Sequence, residues 1–294
     1  MKKIRKAVLP VAGFGTRVLP ATKSIPKEML PVVDQPALQY VVDEAGEAGI
    51  EHIVFVTGRN KGAIEDYFDR AYELEATLHL KEKAGILEEL QARLPLPGSA
   101  SFVRQQSPQG LGHAVWCARD VVGDEPFAVL LPDVLIKGRP GCLKQMVEAY
   151  AKTGGNIIAV NQVPPEETDK YGVIKPKSRD GKLYEMSGMV EKPEPEHAPS
   201  NLSITGRYIL QPEIFTLLED QKPGAGNEVQ LTDAMARLMQ SAPFHALEFD
   251  GEPHDCGSKL GYFKAVLAYA LDHKEIGRQA QAVITDMCKL PQYR

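Results

Sequence analysis

Along the first half of the chain, short apolar runs alternate with stretches whose apolar positions recur every three or four residues. Residues 7–11 read as a first strand, followed by a long, mostly polar loop to about Pro36. Leu38, Val41, Val42, Ala45 and Ala48 then share one helical face. The run Ile53-Val54-Phe55-Val56-Thr57 is apolar on both faces, as a central strand of a parallel sheet is. Ile64, Tyr67, Phe68 and Ala71 mark another helix, 102–105 a short strand, 111–122 a helix, and 127–131 a strand ending at Pro132-Asp133. Met146, Val147 and Tyr150 suit a helix, and 157–160 a strand. This alternation predicts βαβ units, hence an α/β protein with a Rossmann-like, mostly parallel mixed sheet flanked by helices.

The second half has a different texture. Residues 171–176 and 182–193 read as strands around the turn signal Arg179-Asp180-Gly181, a hairpin-like β insertion. A polar, proline-rich loop at 194–201 precedes a strand at 204–210, and helical periodicity starts at Glu213 and again at Glu228. A strand at 244–249 leads to His254-Asp255-Cys256-Gly257, and Leu260, Phe263, Val266, Leu267 and Leu271 define a long helix. Ligands of open α/β sheets sit outside the carboxyl ends of the strands. The loop after the first strand, Asp133 and Asp255 all fall there.

Composition narrows the classes of function. With 34 Lys and Arg against 39 Asp and Glu, the net charge of −5 argues against a general nucleic-acid binder. Any phosphate site must therefore be built from local cations and backbone N–H groups. Cys117, Cys142, Cys256 and Cys288 form no CxxC pair, which points to a reduced, cytoplasmic protein rather than a zinc site. Lys2, Lys3, Arg5 and Lys6 precede the apolar AVLPVAG, but Pro10 interrupts it and polar FGTR follows, so a strand is expected rather than a secretion signal. No run is long enough to span a membrane.

The loop VLPVAGFGTRVLPATKSIPKEMLPV, residues 8–32, carries the clearest chemistry. Gly13 and Gly15 permit close backbone approach, and Arg17, Lys23 and Lys27 bring three cations into one segment. A nucleoside triphosphate suits that arrangement. Val18 stands where a dinucleotide fingerprint needs its third glycine, and no P-loop string occurs. Asp133 and Asp255, each near a strand's carboxyl end, could meet at one hard cation such as Mg²⁺; by spacing alone, each could equally cap a turn or helix.

The stretch GFGTRVLPATKSIPKEMLPVVDQP resembles the signature of the sugar-nucleotide pyrophosphorylases, and its Pro-Lys-Glu-Met-Leu-Pro variant resembles the bacterial UTP–glucose-1-phosphate uridylyltransferases. RQQSPQGLGHA, VLLPDV, YGVI, VEKP, PSNLSITGRYIL, GAGNEVQLTDA and HDCGSKLGYFKA agree in order, so the resemblance covers nearly the whole chain. It implies transfer of UMP from UTP to glucose 1-phosphate with Mg²⁺ as cofactor. The nucleotide would be held by Ala12, Gly13, Gly15, Thr16, Gln105 and Gly110, with Gln105 both donating to and accepting from uracil. Gly172, Glu191 and Lys192 would hold the sugar, Asp133 and Asp255 the metal, and Arg17, Lys27 and Lys192 would act on the phosphates. Glu28 is left without a role, and His113 and His254 are expected to be scaffolding.

The resemblance also implies one nucleotidyltransferase domain over 1–294, with a nucleotide-binding part to about 165, a sugar-binding part over 166–255 and a helical segment over 256–294. By analogy the chain would form a homodimer or tetramer, with the helix from Leu260 and the tail to Arg294 as candidate interfaces. Two rivals stay open: the same chemistry with dTTP, and a silent nucleotide-sugar-binding regulatory protein.

Overall fold

The computed structural model describes residues 1–290. Strand β1 (Lys6–Pro10) leads through three short turns of 3-10 helix into the ribbon β2 (Pro31–Val32) and β3 (Gln35–Pro36), then helix α1 (Ala37–Glu47) and β4 (His52–Thr57). Helices α2 (Gly62–Tyr67), α3 (Tyr72–Leu80) and α4 (Ala84–Ala92) precede β5 (Ala100–Arg104). Next come α5 (Leu111–Cys117), α6 (Arg119–Val122), β6 (Phe127–Leu130), β7 (Val134–Lys137), α7 (Cys142–Thr153) and β8 (Asn156–Gln162). The hairpin β9 (Gly172–Asp180) and β10 (Leu183–Glu191) is followed by β11 (Leu202–Leu210), α8 (Ile214–Glu219), α9 (Leu231–Leu238) and β12 (Phe244–Glu248). Strand β13 (Glu252–Asp255) and helices α10 (Lys259–Asp272) and α11 (Gly277–Met287) complete the described chain.

Nine strands form one sheet in the order β5-β4-β1-β6-β11-β8-β12-β10-β9. Strand β1 pairs in parallel with β4 and β6, and β8 with β12, while β11 runs antiparallel between β6 and β8. Apolar side chains alternate between two cores: Ala7 and Leu9 of β1 enter one, Val8 the other. Burial on both faces is what the unbroken apolar runs of β1, β4 and β6 predict. The expected α/β architecture and the β insertion are both present.

Local departures from the expected elements have local causes. The helix expected over 111–122 is two helices, because Ala118 N donates to Val115 O in a tight 3-10 bond at the junction. Asp133 follows the carboxyl end of β6, which stops at Leu130, as expected, whereas Asp255 closes a separate strand rather than following the one at 244–249. Strands β7 and β13 pair antiparallel with Asp255 opposite Val134, and Cys256 N donates to Asp133 O at 2.7 Å. That ribbon brings two residues 122 positions apart to one place. Of the expected C-terminal interface, residues 291–294 lie outside those described.

Arg207, in β11, is fully buried and bonds in three directions. Its Nε and Nη2 donate to the Glu44 carboxylate of α1, Nη2 at 2.8 Å; Nη1 donates to Leu131 O at 3.0 Å, and Nη2 to Val134 O at 2.8 Å. Glu44 also accepts from Leu143 N in the first turn of α7, where unpaired amides favour a carboxylate. One guanidinium thus ties α1, α7 and β11 to both sides of the turn that carries Asp133. Glu44→Ala strands a buried cation and should lower the unfolding free energy by about 3–5 kcal/mol in urea titration. A loss below about 1 kcal/mol would mean that Arg207 draws its compensation from elsewhere.

Candidate active site

The loop after β1 is drawn against the sheet by Val11 N donating to Val56 O (2.9 Å), and its turn is closed by Thr22 Oγ1 donating to Gly15 O (2.7 Å). Among the described residues, no protein acceptor takes the N–H of Ala12, Gly13, Phe14 or Gly15. Those amides face a cavity of about 490 Å³ lined also by Thr16, Arg17, Lys27, Glu28, Gln105, Gly110 and Asp133. A second cavity of about 470 Å³ is lined by Gly172, Glu191, Lys192 and Asp255. Arg17, Leu111, Leu131 and Asp133 belong to both walls, so the two chambers meet at a cation and a carboxylate. Every residue assigned to the site from sequence lines one chamber or the other.

The seam holds compensated charge. Lys27 Nζ lies 2.6 Å from Asp133 Oδ2, with Arg17 Nη2 at 3.5 Å from the same oxygen and Arg17 Nη1 at 4.0 Å from Asp255 Oδ2. Burial disfavours ionised Asp133, but Lys27 and then Arg17 outweigh it and hold its carboxyl below the usual range. Burial likewise opposes charged Lys27, and Asp133 reverses the balance, raising its pKa. The side chain of Arg17 stays 64% exposed and free to follow an incoming anion.

The two carboxylates fit a divalent metal. A Cβ built on Gly257 would lie 2.8 Å from Asp255 Oδ1 and 2.9 Å from Asp133 Oδ2, and would collide with Arg17 Nη2. The glycine therefore makes room for Arg17 Nη2 at a point onto which oxygen atoms from both aspartates converge, and that pair of carboxylates is the donor chemistry that a hard cation takes. Cys256 beside it is no nucleophile, since burial, then Asp133 and Asp255, push its thiol up to about 12.

Gln105 is buried at the edge of the first chamber. Its Nε2 donates to Gly110 O at 3.0 Å and lies 3.0 Å from His113 Nδ1, which accepts the second amide hydrogen when the ring proton is on Nε2. With the ring proton on Nε2, Oε1 is the end of the amide left for a base. Gly110 has φ 102°, and a Cβ there would meet Val229 N and O at 2.9 Å, so this turn requires glycine. Val229 in turn donates to Gln109 O (2.7 Å) and accepts from Gly112 N (2.8 Å), latching the segment before α9 onto the loop.

In the second chamber, Glu191 Oε2 accepts from Thr232 Oγ1 at 2.8 Å, and Lys192 holds φ 47° with its N–H on Tyr171 O at 3.0 Å. Gly172 begins β9, where a Cβ would lie 3.1 Å from Glu191 Oε2. Sequence reasoning missed two residues, one in this wall and one paired with Glu28 of the first chamber. Buried Tyr208 underlies Glu191, and its hydroxyl is raised above its usual value by burial. Lys61 is buried 2.8 Å from Glu28, whose other oxygen has no partner among the described residues and whose carboxyl burial raises despite Lys61. Lys61 follows the carboxyl end of β4, so the strand-end rule that marked Asp133 applies to it as well.

The family model described as "Nucleotidyl transferase" matches residues 6–271. A Bacillus subtilis protein named UTP–glucose-1-phosphate uridylyltransferase is 50% identical over 279 residues, 95% of each chain. The solved structure titled "UTP-bound UGPase" from Acinetobacter baumannii superimposes with a TM-score of 0.90 at 49% identity, covering 97% of this chain and 99% of that one. A UDP-glucose pyrophosphorylase complexed with UDP-glucose gives a TM-score of 0.84 at 45% identity, covering 92% of this chain and 100% of that one.

Gly257→Ala tests that point of convergence directly. The added methyl should weaken divalent-cation-dependent nucleotide binding by about 10–100-fold in calorimetric titrations, with little change in melting temperature. Unchanged binding would move the cation away from Asp133 and Asp255.

Proposed function

This chain belongs to the nucleotidyl transferase family, and we propose that it transfers UMP from UTP to α-D-glucose 1-phosphate, forming UDP-glucose and pyrophosphate. Identity near half, over nearly the whole chain, to relatives named for that reaction supports the reading. The observation that carries it is the seam of the two chambers. A nucleotide's α-phosphate held by the glycine loop and a sugar phosphate held beside Lys192 would meet at Arg17 and Asp133.

A phosphate oxygen of glucose 1-phosphate attacks the α-phosphorus of UTP; the new P–O bond forms as the bond to the β-phosphate oxygen breaks, and its electron pair leaves with pyrophosphate. A phosphate monoester has its second pKa near about 6, so the nucleophile is already ionised and no general base is needed. The work is positioning and charge neutralisation. Arg17 contacts the β- and γ-phosphates, Lys27 exchanges Asp133 for the transferring phosphate, and Lys192 holds the sugar phosphate. Glu191, fixed by Thr232, accepts from glucose hydroxyls. Uracil is read by Gln105 Oε1 and backbone amides of Ala12 and Gly13. Mg²⁺ held by Asp133 and Asp255 would supply further neutralisation of phosphate charge.

The domain division at about 165 and 255, a cytoplasmic setting and a homo-oligomer belong to the same reading. The four free thiols suit a reducing compartment. Leu260 and Phe263 of α10, 65% and 57% exposed, suit contact with a second copy; sedimentation showing only monomer would remove that part.

Pyrophosphate release from UTP with a panel of sugar 1-phosphates, with and without Mg²⁺, tests the whole. We expect turnover with glucose 1-phosphate and loss of turnover on chelation; a clear preference for dTTP would replace the nucleotide. Asp133→Asn should lower kcat by about 10²–10³-fold while UTP affinity changes far less. Unaltered kcat would take Asp133 out of the chemistry.

A further inference from the structure

The bonds around Gln105 decide more than its position. Uracil presents N3–H, a donor, to a reading group, whereas cytosine presents a bare N3, an acceptor. A glutamine amide can serve either base, depending on which of its ends faces the ligand. Here one end is occupied. Gly110 O takes one amide hydrogen at 3.0 Å, His113 Nδ1, also 3.0 Å from Nε2, takes the other when the ring proton is on Nε2, and among the described residues no protein donor reaches Oε1. In that tautomer, turning the amide over would set Oε1 against two acceptors and forfeit both bonds.

Gly110 O accepts whatever residue stands at 113; the second acceptor depends on His113. An imidazole accepts at Nδ1 only when its proton is on Nε2. Burial lowers the pKa of this ring and so favours the neutral form. The ring's place is fixed by a stack on α5 and its continuation. His113 lies over Trp116 with centroids 5.8 Å apart and planes at 25°, and the Arg119 guanidinium covers the Trp116 ring at 3.7 Å. Cys117 Sγ lies at 3.9 Å from Nδ1.

We propose that His113 is a positioning residue for base specificity, holding the Gln105 amide so that its oxygen faces the pyrimidine and the site accepts an imide N3–H but rejects cytosine. This rests on the uridylyltransferase reading, and thymine, with the same imide edge, is not discriminated by it.

The test compares kcat/KM for UTP, dTTP and CTP, with glucose 1-phosphate and Mg²⁺, in the wild type, His113→Leu and His113→Asn. The wild type should favour UTP over CTP by about 10⁴-fold, as a site built around a hydrogen bond does. His113→Leu frees the amide to turn and should narrow that ratio by about 10–100-fold, chiefly through a higher KM for UTP and a gain with CTP. The UTP-to-dTTP ratio should stay within about threefold. In His113→Asn the side-chain oxygen can accept, and the UTP-to-CTP ratio should return most of the way. An unchanged UTP-to-CTP ratio in His113→Leu, or a loss common to all three nucleotides, overturns the proposal and leaves His113 a packing residue. Should the leucine variant not fold, nitrogen NMR of the wild-type His113 ring decides: an Nε2–H tautomer supports the proposal, and a protonated Nδ1 ends it. If the wild type makes no sugar nucleotide from UTP or dTTP, the underlying reading fails and takes this one with it.

Discussion

A guanidinium cannot shed its charge, so a fold that buries one completely must surround it with acceptors. Arg207 meets that demand with Glu44 and with the carbonyls of Leu131, Val134 and Gly206. Leu131 and Val134 bracket Asp133, and Leu131 N returns a bond to Gly206 O at 2.9 Å. The turn carrying Asp133 is therefore held from beneath by an interaction that never touches a ligand. Because Glu44 also accepts from Leu143 N, the same charge pair orients α7 against α1. Removing either partner leaves a charge in a medium that cannot solvate it, which is why a pair of modest net worth can still be indispensable where it stands.

The seam above that turn works by exchange of partners. Lys27 and Arg17 neutralise Asp133 and Asp255 in the free chain, so neither sign of charge is bare. On the proposed reading, a triphosphate arriving with a divalent cation would offer the lysine and arginine an anion and the aspartates a cation. No charge has to be created or transferred to a protein base, in keeping with a nucleophile that is already ionised. It also reconciles polyanion binding with a net charge of −5 over the whole chain, because the cations are local and drawn from one loop.

The loop was legible because its signal is local: glycines, three cations and a failed dinucleotide fingerprint lie within a few residues of one another. The central strands were legible because burial on both faces writes unbroken apolar runs. The ribbon of β7 and β13 was not. Glu-Pro-His-Asp has no apolar alternation, and only the pairing of Asp255 with Val134 explains why two distant aspartates converge. The sequence marks Gln105 as an amide but cannot say which of its ends faces the chamber, since that depends on Gly110 adopting φ 102° and on the His113 ring eight residues along. Lys61 and Tyr208 were missed for the same reason: each matters through what it packs beneath.

The two chambers are also where the backbone departs from ordinary conformations. At Gly110 the departure costs little, because no side chain opposes it and Val229 fills the space. At Lys192 the residue has a Cβ, and holding φ 47° costs on the order of 1 kcal/mol or more. The bond from Lys192 N to Tyr171 O at 3.0 Å keeps it there, against the start of β9. An extended lysine at the end of β10 would continue the hairpin; the left-handed turn instead sets Lys192 in the wall of the second chamber beside Glu191, its side chain still largely in solvent. A strained lysine whose Nζ, among the described residues, comes no nearer a carboxylate than 3.9 Å from Glu191 can turn its charge to an anion brought from outside. That is the property the proposed sugar-phosphate role would require of it, and the sequence, which shows only Glu-Lys-Pro, carries no trace of the turn that provides it.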